Sequence, residues 1–412
     1  MVAANALRDT KYLFAIVSYL FGTGCVFAQL DDPARLGLRP NHKSISKPKV
    51  IWQWVSESGG LSNPTVNGDS VYFGDDHGVL RALRSTDGHR LWEFNHRHRI
   101  YSTPACDGER VYCTTRAAAF AVSCKNGERV WERQSDAYPG DCVVWPAKVE
   151  GPRKTVTLFY SESDGQTFAV TGRTGQQVWQ SKHLDPTLVD PPGFDGDQAR
   201  FDNQLTRPRG ISTDGRIVVQ SIFDQSRVVV FSRTTGNLLW AYQTQGWVSP
   251  AAAIGERDVL FGSQDKHIHC LDKTTGEPIW NFESGSRFSS SPSVTEQRVF
   301  IPSCDGNLYC LDRESGDLLW SFKIPFEGST AIYSKPLITN DRVHFAAAEG
   351  HVYSLNRETG RLIWSIEPAP DSDLYSSLTT DGHRLFVMSR NAGEKGINSI
   401  TAIGEADVST SD

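Results

Sequence analysis

Side chains able to do chemistry are few in this chain, and they are scattered. Asp75-Asp76-His77 comes nearest to a metal or acid/base cluster, with two carboxylates beside an imidazole. Turn chemistry explains the acids as well, because Asp favours tight turns by bonding its own backbone. His96-Arg97-His98-Arg99 sets four basic or titratable groups in a row. Such a row serves as a solvated loop or as a ligand-contacting, pH-sensitive patch. His267 and His269 alternate along one extended run and so share a face, without further ligands. No Gly-x-Ser-x-Gly elbow, His-Glu-x-x-His pair or phosphate loop occurs. The expected catalytic and metal-ligating residues are therefore none.

Eight cysteines become seven if a leader ends at Ala28: Cys106, Cys113, Cys124, Cys142, Cys270, Cys304 and Cys310. They make no Cys-x-x-Cys pair, which speaks against zinc. Cys270 and Cys310 take one repeat position where other copies carry Ala82, Ala121 and Ala169, and they read as small buried hydrophobes.

The elements that must position these groups belong to an ordered chain. Of 412 residues, 39 % are hydrophobic and 22 % charged, enough to bury a core. A net charge of −6 offers no basic footprint, so nucleic acid is not an expected partner. Arg8 and Lys11 precede an apolar run from Tyr12 to Ala28, with Val26-Phe27-Ala28 before Gln29. That order is a secretory signal over 1–28, so export to the periplasm or the periplasmic face of an outer membrane is expected. Thr23-Gly24-Cys25 also resembles the end of a lipoprotein box, which makes Cys25 a candidate for lipidation and for the sole membrane attachment.

Tryptophan marks a repeat. Trp92, Trp131, Trp179, Trp240, Trp280, Trp320 and Trp364 each follow, by four residues, Gly88, Gly127, Gly175, Gly236, Gly276, Gly316 and Gly360. Compare HCLDKTTGEPIW, YCLDRESGDLLW and YSLNRETGRLIW. Each unit reads as four short antiparallel strands: a Ser/Pro start, a β-rich run, an Asp/Gly turn into an alternating strand, and a Thr-Gly turn into the strand holding the Trp. Four strands per roughly 40 residues is a propeller blade. Three strands follow Trp364 without a closing Trp, while Lys49 to Trp54 looks like a fourth strand with Trp52 forty residues before Trp92. The expected fold is all-β: an eight-bladed propeller of four-stranded antiparallel blades over 48–405, its last blade closed by the N-terminal strand. Residues 29–47 form a linker and 406–412 a disordered tail. A closed ring has no edge demanding a second copy, so a monomer is expected.

The Ala-x-Asp-x-x-Thr-Gly-x-x-x-Trp repeat resembles the tryptophan-docking motif of pyrroloquinoline-quinone (PQQ) propeller proteins and covers nearly the whole mature chain. The Asp is kept only as Asp272 and Asp312, with Asn356, Ser123, Thr171, Ser232 and Arg84 elsewhere. The resemblance implies that each Trp packs between neighbouring blades and locks the ring. Two classes share this repeat: quinoprotein dehydrogenases, which bind PQQ and Ca²⁺ in a central funnel, and non-enzymatic propellers of the outer-membrane β-barrel assembly (BamB) type.

The funnel-side blade starts read Ser62-Asn63, Ser102-Thr103, Val144-Trp145, Thr206-Arg207, Val248-Ser249, Ser290-Ser291, Ser334-Lys335 and Ser376-Ser377. Mostly hydroxyls, they do not look like the oxygen-rich nest that Ca²⁺ takes, and the run 96–99, in the loop entering the second blade, is expected beside the funnel mouth. No two cysteines are adjacent, unlike the vicinal pair of the alcohol dehydrogenases, which are also markedly longer. The favoured expectation is a non-catalytic exported scaffold with no cofactor, whose partners are envelope or outer-membrane proteins. The alternative is a PQQ-binding oxidoreductase or ligand sensor, with Arg207, Lys335 and Trp145 as funnel contacts and PQQ with Ca²⁺ as cofactor. The stretch His183 to Arg209, rich in Asp and Pro, makes one gap between tryptophans about 21 residues longer than the usual repeat and reads as a lid or partner-contacting loop.

Overall fold

A computed structural model of the chain describes residues 44–56, 60–135, 137, 139–147, 155–162, 165–181, 210–222, 226–248, 251–326, 331–391 and 398–406. Alternating strands separated by Gly-bearing turns cannot bury both faces alone, and eight such sheets stack as the blades of a propeller. Blade 1 comprises Thr65–Asn67, Ser70–Gly74, Val79–Arg84 and Arg90–Asn95; blade 2 comprises Ala105–Cys106, Arg110–Thr114, Ala118–Ser123 and Arg129–Gln134. Five more blades repeat the pattern, their last strands being Gln177–Gln180, Leu238–Gln243, Pro278–Glu283, Leu318–Lys323 and Leu362–Ile366. No α-helix occurs among the described residues.

Blade 8 is built from both ends of the chain. Leu385–Asn391 pairs with Asn398–Glu405, which in turn pairs with the N-terminal strand Pro48–Ser56, from Pro48 opposite Glu405 to Ser56 opposite Asn398. This is the closure expected from the position of Trp52. The seam reaches three residues further back than the strand. Ser46 and Lys47 donate their backbone N–H groups to the Glu405 carboxylate at 2.5 and 3.0 Å, and Ile45 is buried in the core shared by blades 7 and 8.

The core lies between blades rather than at one centre. One cluster joins Tyr72 and Leu80 of blade 1 to Cys106, Val111 and Phe120 of blade 2, and comparable clusters recur around the ring. Each motif glycine sits beneath the indole of the preceding blade. A Cβ on Gly88, Gly127, Gly175, Gly236, Gly276, Gly316 or Gly360 would stand 2.5–2.7 Å from the ring of Trp52, Trp92, Trp131, Trp179, Trp240, Trp280 or Trp320. These glycines also adopt φ of +69 to +79°, which glycine takes without penalty. Except at Trp320, the indole N–H donates to a backbone carbonyl across the blade junction, as from Trp131 to Gly172 and from Trp240 to Lys273. Trp364 has no glycine to meet, because the corresponding turn is cut open by the chain ends; its indole donates to the carbonyl of Ile45 instead.

The repeat position shared by Ala and Cys lies opposite the docking Trp. Cys270 faces Trp280, Cys310 faces Trp320, and Ala82, Ala121 and Ala169 face Trp92, Trp131 and Trp179 across the strand pair. Val230 and Ser354 take the same place opposite Trp240 and Trp364. All seven cysteines among the described residues are free thiols, and burial pushes Cys270 and Cys310 up to about 12.

Candidate functional site

Four side-chain groupings are available to a ligand or partner, and the strand order decides where each lies. Within a blade the chain runs from the innermost to the outermost strand, then crosses back to begin the next blade. Turns between second and third strands share one face with these crossings, as the bond from His96 N–H to Gly78 O shows; this is the crossover face. The docking turns occupy the opposite face.

Blade starts ring the channel on the crossover face. The first serine of each pair is turned into its own blade. Ser62, Ser102, Ser334 and Ser376 accept the N–H of Gly74, Thr114, Ala346 and Met388 at 2.8–2.9 Å, each bond spanning twelve residues. Nearby Pro104 and Pro336 have no N–H to donate, and the Ser102 and Ser334 hydroxyls donate to the carbonyls of those same residues, Thr114 at 3.2 Å and Ala346 at 2.8 Å. Sequence reasoning missed this clamp, although the repeated Ser-x-Pro carried its signal.

The second residue of each pair meets its counterpart in the next blade. Asn63 donates to Thr103 at 3.3 Å, Thr103 N–H to Asp141 at 3.3 Å, and Lys335 N–H to Ser377 at 3.0 Å. Lys335 is half-buried and stands two residues from Tyr333, whose ring meets that of Tyr375 at 5.5 Å. Trp145 packs between blades 3 and 4: its indole lies where a Cβ on Gly215 would come within 2.4 Å, beside Val143, Phe159 and Ile211. Arg207 lies outside the described residues, as do Ser249, Cys25 and the stretch 183–209. Around the channel the described blade starts offer one carboxylate, Asp141, and no group of three or more His, Cys, Asp or Glu capable of holding a metal occurs among the described residues. That donor set does not fit a Ca²⁺ ion, which takes six to eight oxygen ligands.

A third grouping recurs in the turns between second and third strands of blades 5, 6 and 7. Asp265 meets His269 at 3.1 Å, Tyr309 donates to Asp305 at 2.7 Å, and Tyr353 donates to Glu349 at 2.7 Å. His267 and His269 do face the same way, with ring centroids 5.9 Å apart, and both address Asp265. Burial alone would raise the Asp265 carboxyl, but the bond to and charge of His269, with the bonds from His267 and Ser263, together outweigh this and hold it below the ordinary carboxylate range. Glu349 shows the reverse: burial pushes its carboxyl up, and its Oε2 has no hydrogen-bond partner.

The partner residues of this grouping rest on aromatics from the blade before. Tyr242 meets His269, Phe282 meets Tyr309 and Phe322 meets Tyr353, with centroids 5.3–5.8 Å apart. Each of these aromatics lies two residues beyond a docking Trp, on the same side of its strand. The pattern Trp-x-aromatic thus makes a second inter-blade layer, which the sequence displays in WQW, WEF, WAY, WNF and WSF but which single-motif reading passed over.

The fourth grouping is the basic run at 96–99. Its expected place beside the funnel mouth is corrected by the structure. Residues 96–98 leave the outermost strand of blade 1 and lie at the outer rim, against Arg129, Glu132 and Gln134 of the outermost strand of blade 2. Only after crossing inward does the chain reach Tyr101 and Ser102. The Asp75-Asp76-His77 turn supports this run. Asp75 is fully buried, accepts the N–H groups of His77 and Val79 and pairs with Arg81 at 2.5 Å, while its carbonyl accepts Ile100 N–H.

Comparison with known proteins adds to this geometry. Residues 44–145, 163–267 and 264–397 match the family described as outer membrane protein assembly factor BamB. The chain is similar to a quinoprotein ethanol dehydrogenase of Pseudomonas putida, 23 % identical over 193 residues, covering 41 % of this chain and 29 % of that protein. It is also similar to the outer membrane protein assembly factor BamB of Yersinia pestis, 26 % identical over 151 residues, covering 32 % of this chain and 36 % of that protein. The matched stretches thus span about a third of the length of these curated relatives. Among solved structures, BamB from Moraxella catarrhalis shares the fold with a TM-score of 0.63 at 15 % identity, over 86 % of this chain and 99 % of that one. A europium-containing methanol dehydrogenase does so with a TM-score of 0.70 at 12 % identity, over 95 % and 100 %.

Proposed function

Because the chain belongs to the family described as outer membrane protein assembly factor BamB, we propose that it is an exported, non-catalytic β-propeller that serves as a protein-interaction scaffold in the cell envelope. The observation that carries this reading is the family match itself, which runs from residue 44 to 397 with few gaps. Two features of the channel support it. The blade-start polar groups are engaged with one another between blades, and the described donors lack the carboxylates a Ca²⁺-dependent quinone site calls for. A propeller so tied together presents rigid loops to partners without needing a reacting group of its own.

The likeness to quinoprotein dehydrogenases favours a second reading, in which the channel binds PQQ for an oxidoreductase or a sensor. Lys335, Arg207 and Trp145 are the residues to mutate under that reading.

Two measurements separate the readings. The full chain, tagged and crosslinked in envelope membranes, should be recovered with a component of outer-membrane β-barrel assembly; recovery of no stable partner counts strongly against the scaffold. PQQ titration with and without Ca²⁺, followed by tryptophan quenching, should show no saturation. Saturable binding at micromolar concentration or tighter moves the assignment to the second reading.

A further inference from the structure

The rim between blades 1 and 2 holds a recess of about 650 Å³. Phe94, Asn95, His96, Arg97 and His98 line it from blade 1, and Arg129, Glu132 and Gln134 from blade 2. Its volume is that of a small-molecule site.

Its floor is fixed. The His96 ring, only 6 % exposed, stacks on Phe120 with centroids 4.9 Å apart and planes 13° from parallel. His96 Nδ1 accepts the backbone N–H of His98 at 3.1 Å, so the neutral ring carries its proton on Nε2, which faces Glu132 at 3.8 Å. Burial holds His96 below the ordinary imidazole range, against the raising effect of Glu132. Phe94, 5.4 Å from Phe120, completes an apolar base. The run is held from below by Gly78, whose carbonyl accepts His96 N–H at 2.7 Å.

The charges around the opening do not cancel. Glu132, the one acid, is already paired with Arg129 at 2.8 Å and accepts a bond from Gln134 at 2.6 Å. Among the described residues no acid pairs with Arg97 or His98, both of which are exposed. Guanidinium groups over an apolar base suit an anion carried on a flat or apolar body, because the planar fork bonds two oxygens at once.

We propose that this recess binds a small organic anion, a carboxylate or phosphate ester, with Arg97 and Arg129 on the anionic group and Phe94 and the His96–Phe120 stack under its body. The site stands apart from the channel and is independent of the scaffold reading.

The test is calorimetric titration of the full chain at low salt with phenyl phosphate, citrate and inorganic phosphate. Phenyl phosphate should bind saturably, on the order of tenfold more weakly after Arg97→Ala with Arg129→Ala, and several-fold more tightly after Glu132→Gln. Both arginines are exposed, so the double variant should keep the wild-type circular dichroism and melting temperature. Binding of citrate or inorganic phosphate as tight as that of phenyl phosphate would overturn the role of the apolar base. No saturable heat with any of the three at millimolar concentration, or unchanged binding in the double variant, would overturn the site. Such a result leaves partner capture in the envelope as a separate question with its own answer.

Discussion

A Cβ placed on Gly78 would stand 2.3 Å from the carbonyl oxygen of His96 and 2.7 Å from that of His98, at a residue whose φ is +84°. The turn that looked like an acid/base cluster is therefore the bed on which the basic run lies. Gly78→Ala adds a side chain where the backbone conformation disfavours one and where backbone, which cannot swing aside, fills the space. It should lower stability by about 1–3 kcal/mol and weaken phenyl phosphate binding with it. Urea unfolding and the same titration read both effects; a variant with unaltered stability and binding would show that the run does not depend on Gly78.

Tryptophan docking should carry a large share of stability. Trp240 is buried, lies over Gly276 and donates to the Lys273 carbonyl at 3.0 Å. Trp240→Ala should cost about 3–5 kcal/mol, as a buried aromatic truncation does. Gly276→Ala should destabilise as well, since the new methyl meets the indole at 2.7 Å. A shift in denaturation midpoint within error of wild type for Trp240→Ala would contradict the docking role.

Acid sensitivity should trace in part to the docking turns. Asp272 accepts the N–H groups of Thr275 and Thr274, which hold its carboxyl below the ordinary range, and Asp312 does the same with Ser315 and Glu314. A carboxylate whose folded value is depressed stabilises above its unfolded value and loses that contribution as pH falls through the folded one. Stability should therefore drop below about pH 4. Blade 7 makes the same bonds with the amide of Asn356. Asp272→Asn should accordingly keep neutral-pH stability while flattening the acid limb, whereas Asp272→Ala loses the turn bonds at every pH.

Glu349 works in the opposite direction. Its raised carboxyl means that folding favours the protonated form, so this group's contribution worsens as pH climbs from the unfolded value through the folded one and then stays constant. Glu349→Gln keeps an oxygen for Tyr353 and removes the buried charge. The variant should be more stable than wild type at pH 8 by about 1 kcal/mol, with the gain vanishing near pH 4. Equal melting temperatures across that range would mean the ionised form is not disfavoured.

Glu405→Ala should cost about 1–3 kcal/mol, because it strips two backbone donors of their partner at the seam. Hydrogen exchange should report the loss first in strand Pro48–Ser56, and uniform exchange around the ring would contradict a local role.

Much of this architecture was legible because blade spacing is covalent. Gly and Trp four residues apart state the docking turn directly, and Trp52 announced the strand that closes the ring. Radial position was less legible. Nothing local in His96-Arg97-His98-Arg99 tells whether a crossing from outer to inner strand has begun or ended, so the run reads equally well at the mouth or the rim. The serine clamp and the bond from Ser46 to Glu405 likewise depend on partners 12 and 359 positions away. The packing of Trp145 was not legible for another reason: successive residues of an inner strand point alternately, and only the fold shows its indole against the core between blades 3 and 4.

The seam also sets an order of events during biosynthesis. Strand Pro48–Ser56 emerges before blades 1 to 7, and its partner Asn398–Glu405 only after them. At about 5–20 residues per second the early strand waits on the order of tens of seconds with its edge unsatisfied. Blades 1 to 7 can stack one upon another as they appear, while the ring stays an open arc until that partner arrives. A chaperone that shields a single β-edge would act here on a part of the nascent chain made before the blades rather than on the newest.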